Sequence, residues 1–219
     1  MNLRPRRLEF HPLTAERWSD LEKLFGPRGA YGGCWCMYWR LTRAEFAKGQ
    51  GEGNRRALKR IVASGRVPGI LAYAGGQPVG WCSVAPREEY PSLERSPVLK
   101  RLDDKPVWSI VCFYIARSHR GQGVTEALIR AAIGYVKRQG GKMVEAYPTR
   151  PRGKALAPVS SYQGMPAMFE RAGFEECARP SAAKVVMRHY LGKRMRCHGD
   201  GESGAPARVA KRRGKQCPR

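Results

Sequence analysis

An α/β fold built on a mixed, mostly antiparallel central sheet flanked by helices is predicted for this 219-residue chain. Three observations carry that prediction. Residues 69–74 (GILAYA) and 78–85 (PVGWCSVA) flank Gly75-Gly76-Gln77, the pattern of an antiparallel hairpin. Residues 107–115 (VWSIVCFYI) are apolar, β-branched and aromatic almost throughout, which suits a central strand buried on both faces. That run turns through a pair of glycines straight into 123–139, where Val124, Leu128, Ala131, Ala132, Tyr135 and Val136 trace one helical stripe.

The remaining elements follow from spacing and punctuation. Thr14 is placed to cap a helix with Trp18, Leu21, Leu24 and Phe25 on one face, stopped by Gly26-Pro27. Asn54 is placed to cap a second helix carrying Leu58, Ile61 and Val62, closed by Gly65. Two helices are therefore expected before any strand. Residues 86–105 read as a polar, proline-bearing loop. After the long helix stops at Gly140-Gly141, residues 142–147 return as a strand, 166–172 form a short helix, and 174–177 with 184–190 close the sheet.

Apolar residues at 42% and charged residues at 27% place the chain in the globular range. No apolar run approaches the roughly 18 to 20 residues that a membrane span needs, so no membrane partner is expected. MNLRPRRLEF carries basic residues without an apolar run behind them, so the expectation is no secretory signal and a cytoplasmic location. The formal charge of +23 points to an anionic partner. Residues 192–219 hold nine Lys or Arg and two acids with almost no large apolar side chains, and read as a disordered basic C-terminal tail. The folded domain is accordingly placed at 1–191. The tail is either a nucleic-acid tether or a solvated extension. No oligomeric state follows from the sequence.

The chemistry is concentrated at the junction Ile115-Ala116-Arg117-Ser118-His119-Arg120-Gly121-Gln122-Gly123-Val124-Thr125. A buried strand, a tight glycine turn and a helix start leave several backbone N–H groups aimed at one point, reinforced by the positive end of the helix. Such a turn cradles a pyrophosphate, and glycine at 121 and 123 is expected to let phosphates approach the backbone. A third glycine of the dinucleotide fingerprint is missing, and so is the Gly-Lys-Ser/Thr ending of a P-loop.

Together with Met168-Phe169-Glu170-Arg171-Ala172-Gly173-Phe174 later in the chain, this strand, Arg-Gly-Gln-Gly-Val and helix resemble the GNAT superfamily of acyl-CoA-dependent N-acetyltransferases over residues 7–190. The resemblance implies a domain that transfers acetyl from acetyl-CoA, as co-substrate and without a metal, to a primary amine on a small molecule or peptide, by direct attack in a ternary complex. It implies that Arg120, Gly121, Gln122, Gly123, Val124 and Thr125 hold the pyrophosphate and that the pantetheine arm pairs with the backbone of Phe113, Tyr114 and Ile115. Arg117 and His119 are placed to meet the phosphates. Phe169 stands where many members carry the tyrosine that protonates the leaving thiolate, so Tyr162 is the substitute acid. No carboxylate lies on the central strand, which makes Glu145 on the next strand the expected base, directly or through one water. These departures keep a second reading open: a catalytically silent CoA-binding or basic RNA-binding module on the same fold.

The segment Tyr31-Gly32-Gly33-Cys34-Trp35-Cys36-Met37-Tyr38-Trp39-Arg40 is rich in aromatic and sulfur side chains. A C-x-C without a second ligand pair makes a poor tetrahedral zinc site, so no metal is expected. In the resembled family the corresponding segment covers the acceptor pocket, which makes Trp35, Tyr38 and Trp39 its expected lining, with plain core packing as the alternative.

Overall fold

The computed structural model describes residues 7–150 and 162–192. The expected tail, beyond Gly192, lies outside the described residues. Among the described residues thirteen strands and α-helices run in the order β1 (Leu8–Pro12), α1 (Trp18–Phe25), α2 (Arg43–Lys48), α3 (Glu52–Ala63), β2 (Gly69–Ala74), β3 (Gln77–Pro86), α4 (Pro91–Glu94), β4 (Trp108–Ile115), α5 (Val124–Arg138), β5 (Met143–Ala146), α6 (Pro166–Glu170), β6 (Glu175–Ala178) and β7 (Val186–Tyr190). The strands form one seven-stranded sheet in the order β1-β2-β3-β4-β5-β7-β6. Among the described residues only β4 and β5 pair in parallel; every other pairing is antiparallel. The predicted α/β class with a mostly antiparallel sheet flanked by helices is the fold observed.

Two expectations near the N-terminus are corrected. Strand β1 precedes the helices and pairs with β2 from Leu8↔Ala74 to Pro12↔Ile70. Five residues that include His11 and Pro12 on a sheet edge are too short to show alternation, and their pairing is supplied by a strand some sixty residues later. Helix α3 begins at Glu52, so Asn54 lies inside it. There Asn54 is fully buried and donates from Nδ2 to the carbonyls of Gly33 and Phe46, at 3.2 and 3.3 Å, tying the helix to the segment before it. Thr14 precedes a 3-10 turn at Ala15–Arg17, and its side chain caps nothing. The buried stripe Trp18, Leu21, Leu24 and Phe25 stands as predicted.

Amphipathic α5 lays Val124, Leu128, Ile129 and Ala132 against one sheet face, where Ile110 and Phe113 of β4, Phe169 and Phe174 complete the core. On the other face α1 and α3 cover Leu71, Tyr73 and Trp81. Residues 86–105 depart from a plain polar loop: Tyr90, Leu93 and Leu99 are buried against Val111, Tyr147 and Val186 on that second face.

Strand β4 carries two irregularities that make a site. Its register against β3 shifts between Ser83 and Val84, leaving Val111 without a partner in the ladder. Such a bulge re-aims neighbouring groups. The parallel ladder with β5 also stops after Trp108↔Val144, Ser109↔Glu145 and Ile110↔Ala146, while β4 runs on to Ile115. Residues 162–164 bridge the opening beyond: Phe113 N–H donates to the Tyr162 carbonyl at 2.7 Å and Thr149 N–H to the Gly164 carbonyl at 3.1 Å.

Candidate active site

The glycine turn is built as its residues demand. After β4, Arg117–His119 make a 3-10 turn, and Gly121 and Gly123 take φ of 73° and 75°, with Gly123 serving as the N-cap of α5. L side chains rarely adopt that conformation, which is the reason for glycine at both positions. A Cβ at either position meets nothing within 4 Å, so backbone geometry and not crowding within the protein demands glycine. Residues 120–123 are exposed, whereas Val124 is buried and anchors the helix. The first-turn amides of α5, from Gly123 through Glu126, have no acceptor within the helix, and Arg117 and Arg120 in the preceding turn are exposed. His119 is engaged locally, its Nδ1 3.0 Å from Ser118 Oγ.

Of the three β4 residues expected to pair with a pantetheine arm, Phe113 has its N–H taken by the Tyr162 carbonyl. Tyr114 is opposite Trp81 in the β3 ladder. Ile115 shares with Phe113 the edge that faces away from β3, and its carbonyl accepts a bond from Nε of the exposed Arg120 at 3.1 Å. The structure therefore brings Ile115, Arg120 and the turn together at the opening.

On the face covered by the N-terminal helices, Tyr162 is half-buried beside Cys112, Tyr38 and Trp39. Burial, then the neighbouring Cys112 and Tyr38, hold its phenol well above the ordinary tyrosine value, while Trp39 acts in the opposite direction. Tyr38 is 41% exposed and meets Trp39 edge-on at 5.1 Å. Trp35 is not part of this wall. It is buried, stacked on Trp18 at 6.1 Å and packed on Phe25 at 5.5 Å, so the core alternative applies to it. The segment is pinned by Arg40, which donates to Glu89 Oε2 at 2.8 Å and to the Pro68 carbonyl at 3.1 Å, and stacks over Tyr90.

Glu145 is corrected. Its side chain is 1% exposed; Oε1 accepts from Arg87 Nη1 at 2.8 Å and from the Tyr147 hydroxyl at 2.6 Å, and Oε2 from Arg188 Nε at 2.7 Å. Arg188 also grips Asp103 at 2.7 Å, and Arg87 grips Glu94 at 2.7 Å. A carboxylate with both oxygens committed inside the protein does not reach an incoming amine. Phe169, at the position of the missing tyrosine, is fully buried between Phe113 and Phe174. A cleft of about 660 Å³ between β1 and α5, lined by Phe10, Tyr135 and Arg138, is separate from the glycine turn.

Sequence reading missed the Cys36–Cys112 contact, with 3.1 Å between sulfurs, and the polar group Thr149, Gln163 and Lys184. Neither has a local signal: each joins residues from distant segments. Among the described residues no group of three or more His, Cys, Asp or Glu is arranged to hold a metal.

With this geometry in view, the family model described as Acetyltransferase (GNAT) family matches residues 35–157, more than half of the chain. The chain belongs to the GNAT acetyltransferase family. Among solved structures, this GNAT-family chain is similar to an acetyltransferase of the same family from Streptococcus agalactiae, at 14% identity and a TM-score of 0.51, covering 88% of this chain and 100% of that one. It is also similar to the PaiA N-acetyltransferase of Thermoplasma acidophilum in complex with coenzyme A, at 12% identity and 0.49, covering 84% and 99%. A third is the ribosomal-protein-alanine N-acetyltransferase of Brucella melitensis, at 16% and 0.48, covering 84% and 99%. At such identities the likeness is one of fold. No curated protein matches the sequence.

Proposed function

We propose that residues 1–191 form one transferase domain that moves an acetyl group from acetyl-CoA to a primary amine by direct attack. The observation that carries this reading is the β4–α5 junction, where Gly121 and Gly123 are left-handed and exposed and Gly123 caps the start of α5. Backbone donors there, with Arg117 and Arg120, fit an anionic pyrophosphate. Ile115, once Arg120 swings to the phosphates, offers its N–H and C=O to an extended amide arm. Bound acetyl-CoA supplies an activated acyl carbon. An amide of β4 near its bulge stabilises the negative charge that develops on the thioester oxygen, and Tyr162 stays protonated and donates to the leaving sulfur. Glu145 is assigned to structure, and the amine's proton leaves to solvent.

Direct attack is favoured over an acyl-cysteine route because Cys112, the thiol on β4, is engaged with Cys36 and no base is bonded to it among the described residues. Holding amine and thioester together supplies much of the acceleration without a dedicated base.

Thiol release from acetyl-CoA against a panel of primary amines tests the reading. Release that depends on the amine is expected, and Tyr162→Phe is expected to lower kcat roughly 10- to 100-fold while leaving CoA affinity unchanged. Tight CoA binding without release for any amine returns the assignment to a silent binding module.

A further inference from the structure

The face that carries Tyr162 also holds a cation with no counter-ion among the described residues. Strand pairing of β5 with β7 sets Glu145 opposite Arg188, and the bridge Thr149↔Lys184 lies four residues further along on each strand. With a period of two, Thr149 and Lys184 share the face of Tyr147 and Val186, which belong to the same cluster as Trp39 and Cys112. Lys184 thus sits on the acceptor side, past the end of the β4–β5 ladder.

Its ammonium donates to Thr149 Oγ1 at 2.7 Å and to Gln163 Oε1, both neutral. No carboxylate pairs with it among the described residues, and burial alone pulls the amine down to about 8. Every other strongly buried cation nearby is paired: Arg40 with Glu89, Arg87 with Glu94 and Glu145, Arg188 with Asp103 and Glu145. Gln163 is 2% exposed; its Oε1 accepts from Lys184, and its buried Nε2 has no hydrogen-bond partner among the described residues. A buried ammonium held only by neutral acceptors, beside an amide donor with no acceptor among the described residues, is costly in a folded protein unless an anion arrives. Residue 163 directly follows Tyr162, whose carbonyl is bonded to Phe113 on β4, so the donors lie beside the reacting end of the opening.

Resting on the transferase reading, we propose that Lys184 and Gln163 form a carboxylate-binding subsite, and that the amine acceptor is an amino-carboxylate such as a free amino acid. The ammonium and the amide N–H engage the carboxylate while the amine is presented to the thioester. One charged and one neutral hydrogen bond exchanged from water predict a preference of about 10- to 100-fold for the acid over its neutral amide.

The test compares each of several amino acids with its carboxamide, at a pH below 8, in the full chain and in Lys184→Met and Gln163→Leu. The wild type is expected to favour the acids by that factor in kcat/KM. Lys184→Met, which removes a buried charge that no carboxylate pairs with among the described residues and keeps the stem, is expected to bring the ratio to near unity through KM, slowing the acids far more than the carboxamides. Gln163→Leu is expected to lower the ratio in part. Calorimetric binding of N-acetyl amino acids to the CoA-bound protein, lost in Lys184→Met, reads the subsite without turnover. Equal use of acids and amides by the wild type, or equal slowing of both by Lys184→Met, overturns the subsite. Absence of thiol release with every acceptor, while N-acetyl amino acids still bind through Lys184, overturns the transferase reading and supports the subsite.

Discussion

Glu145→Ala is expected to destabilise the fold by about 3–5 kcal/mol, because it leaves two buried guanidinium groups facing a vacated carboxylate position. Arg87 loses one of its two acidic partners and Arg188 loses one of its two, and neither can turn to water. In a chain of this size that loss corresponds to a melting point lower by roughly 10 °C. Thermal and urea unfolding read it directly. Arg87→Ala is expected to be similarly damaging, and the double variant less damaging than the sum, since both remove the same interaction. At a temperature where Glu145→Ala remains folded, CoA affinity is expected to be that of the wild type. A variant of wild-type stability that had lost only turnover would show that Glu145 acts as the base after all.

Gly123→Val is expected to weaken CoA binding by at least tenfold, measured by calorimetry. A β-branched residue at φ of 75° is a steric outlier, and even ordinary L residues lose about 1–2 kcal/mol there. The side chain itself would enter open space, so the core under Val124 and Leu128 persists and the damage stays in the turn. Gly123→Asn is the control: asparagine tolerates the left-handed region and caps helices well, so most of the affinity is expected to return. Unchanged affinity in the valine variant would sink the assignment of this turn to the pyrophosphate. The same argument applies to Gly121, whose φ is 73°.

Much of the site was legible because its signal is local. A run such as VWSIVCFYI, two glycines and an amphipathic helix are contiguous, and each states its own conformation through burial, φ and period. The segment of Tyr38 and Trp39, which lie beside Tyr162, stood out because its aromatic side chains are contiguous in sequence. Trp35, three and four residues away from them, went to the core because Cys36 and Trp35 take left-handed φ of 54° and 45°, which reverses the chain between them and Trp39. That reversal leaves no pattern in composition.

The role of Glu145 was illegible for a different reason. An acidic residue on a strand reads alike whether it faces solvent, substrate or a pair of arginines, and its partners lie 58 and 43 residues away. Lys184 is likewise one of 41 basic residues until β5, β7 and residues 162–164 are assembled around it.

By itself the sequence determined the α/β class, the hairpin, the central strand and the glycine turn with its helix, since each depends on torsional preference and hydrophobic period within a dozen residues. Tertiary structure alone decided the edge strand β1, the carbonyl that meets Phe113, the burial of Glu145 between two arginines and the isolation of Lys184. Those features are fixed by which distant groups a fold brings within hydrogen-bonding reach once water is excluded, and no local pattern encodes that choice.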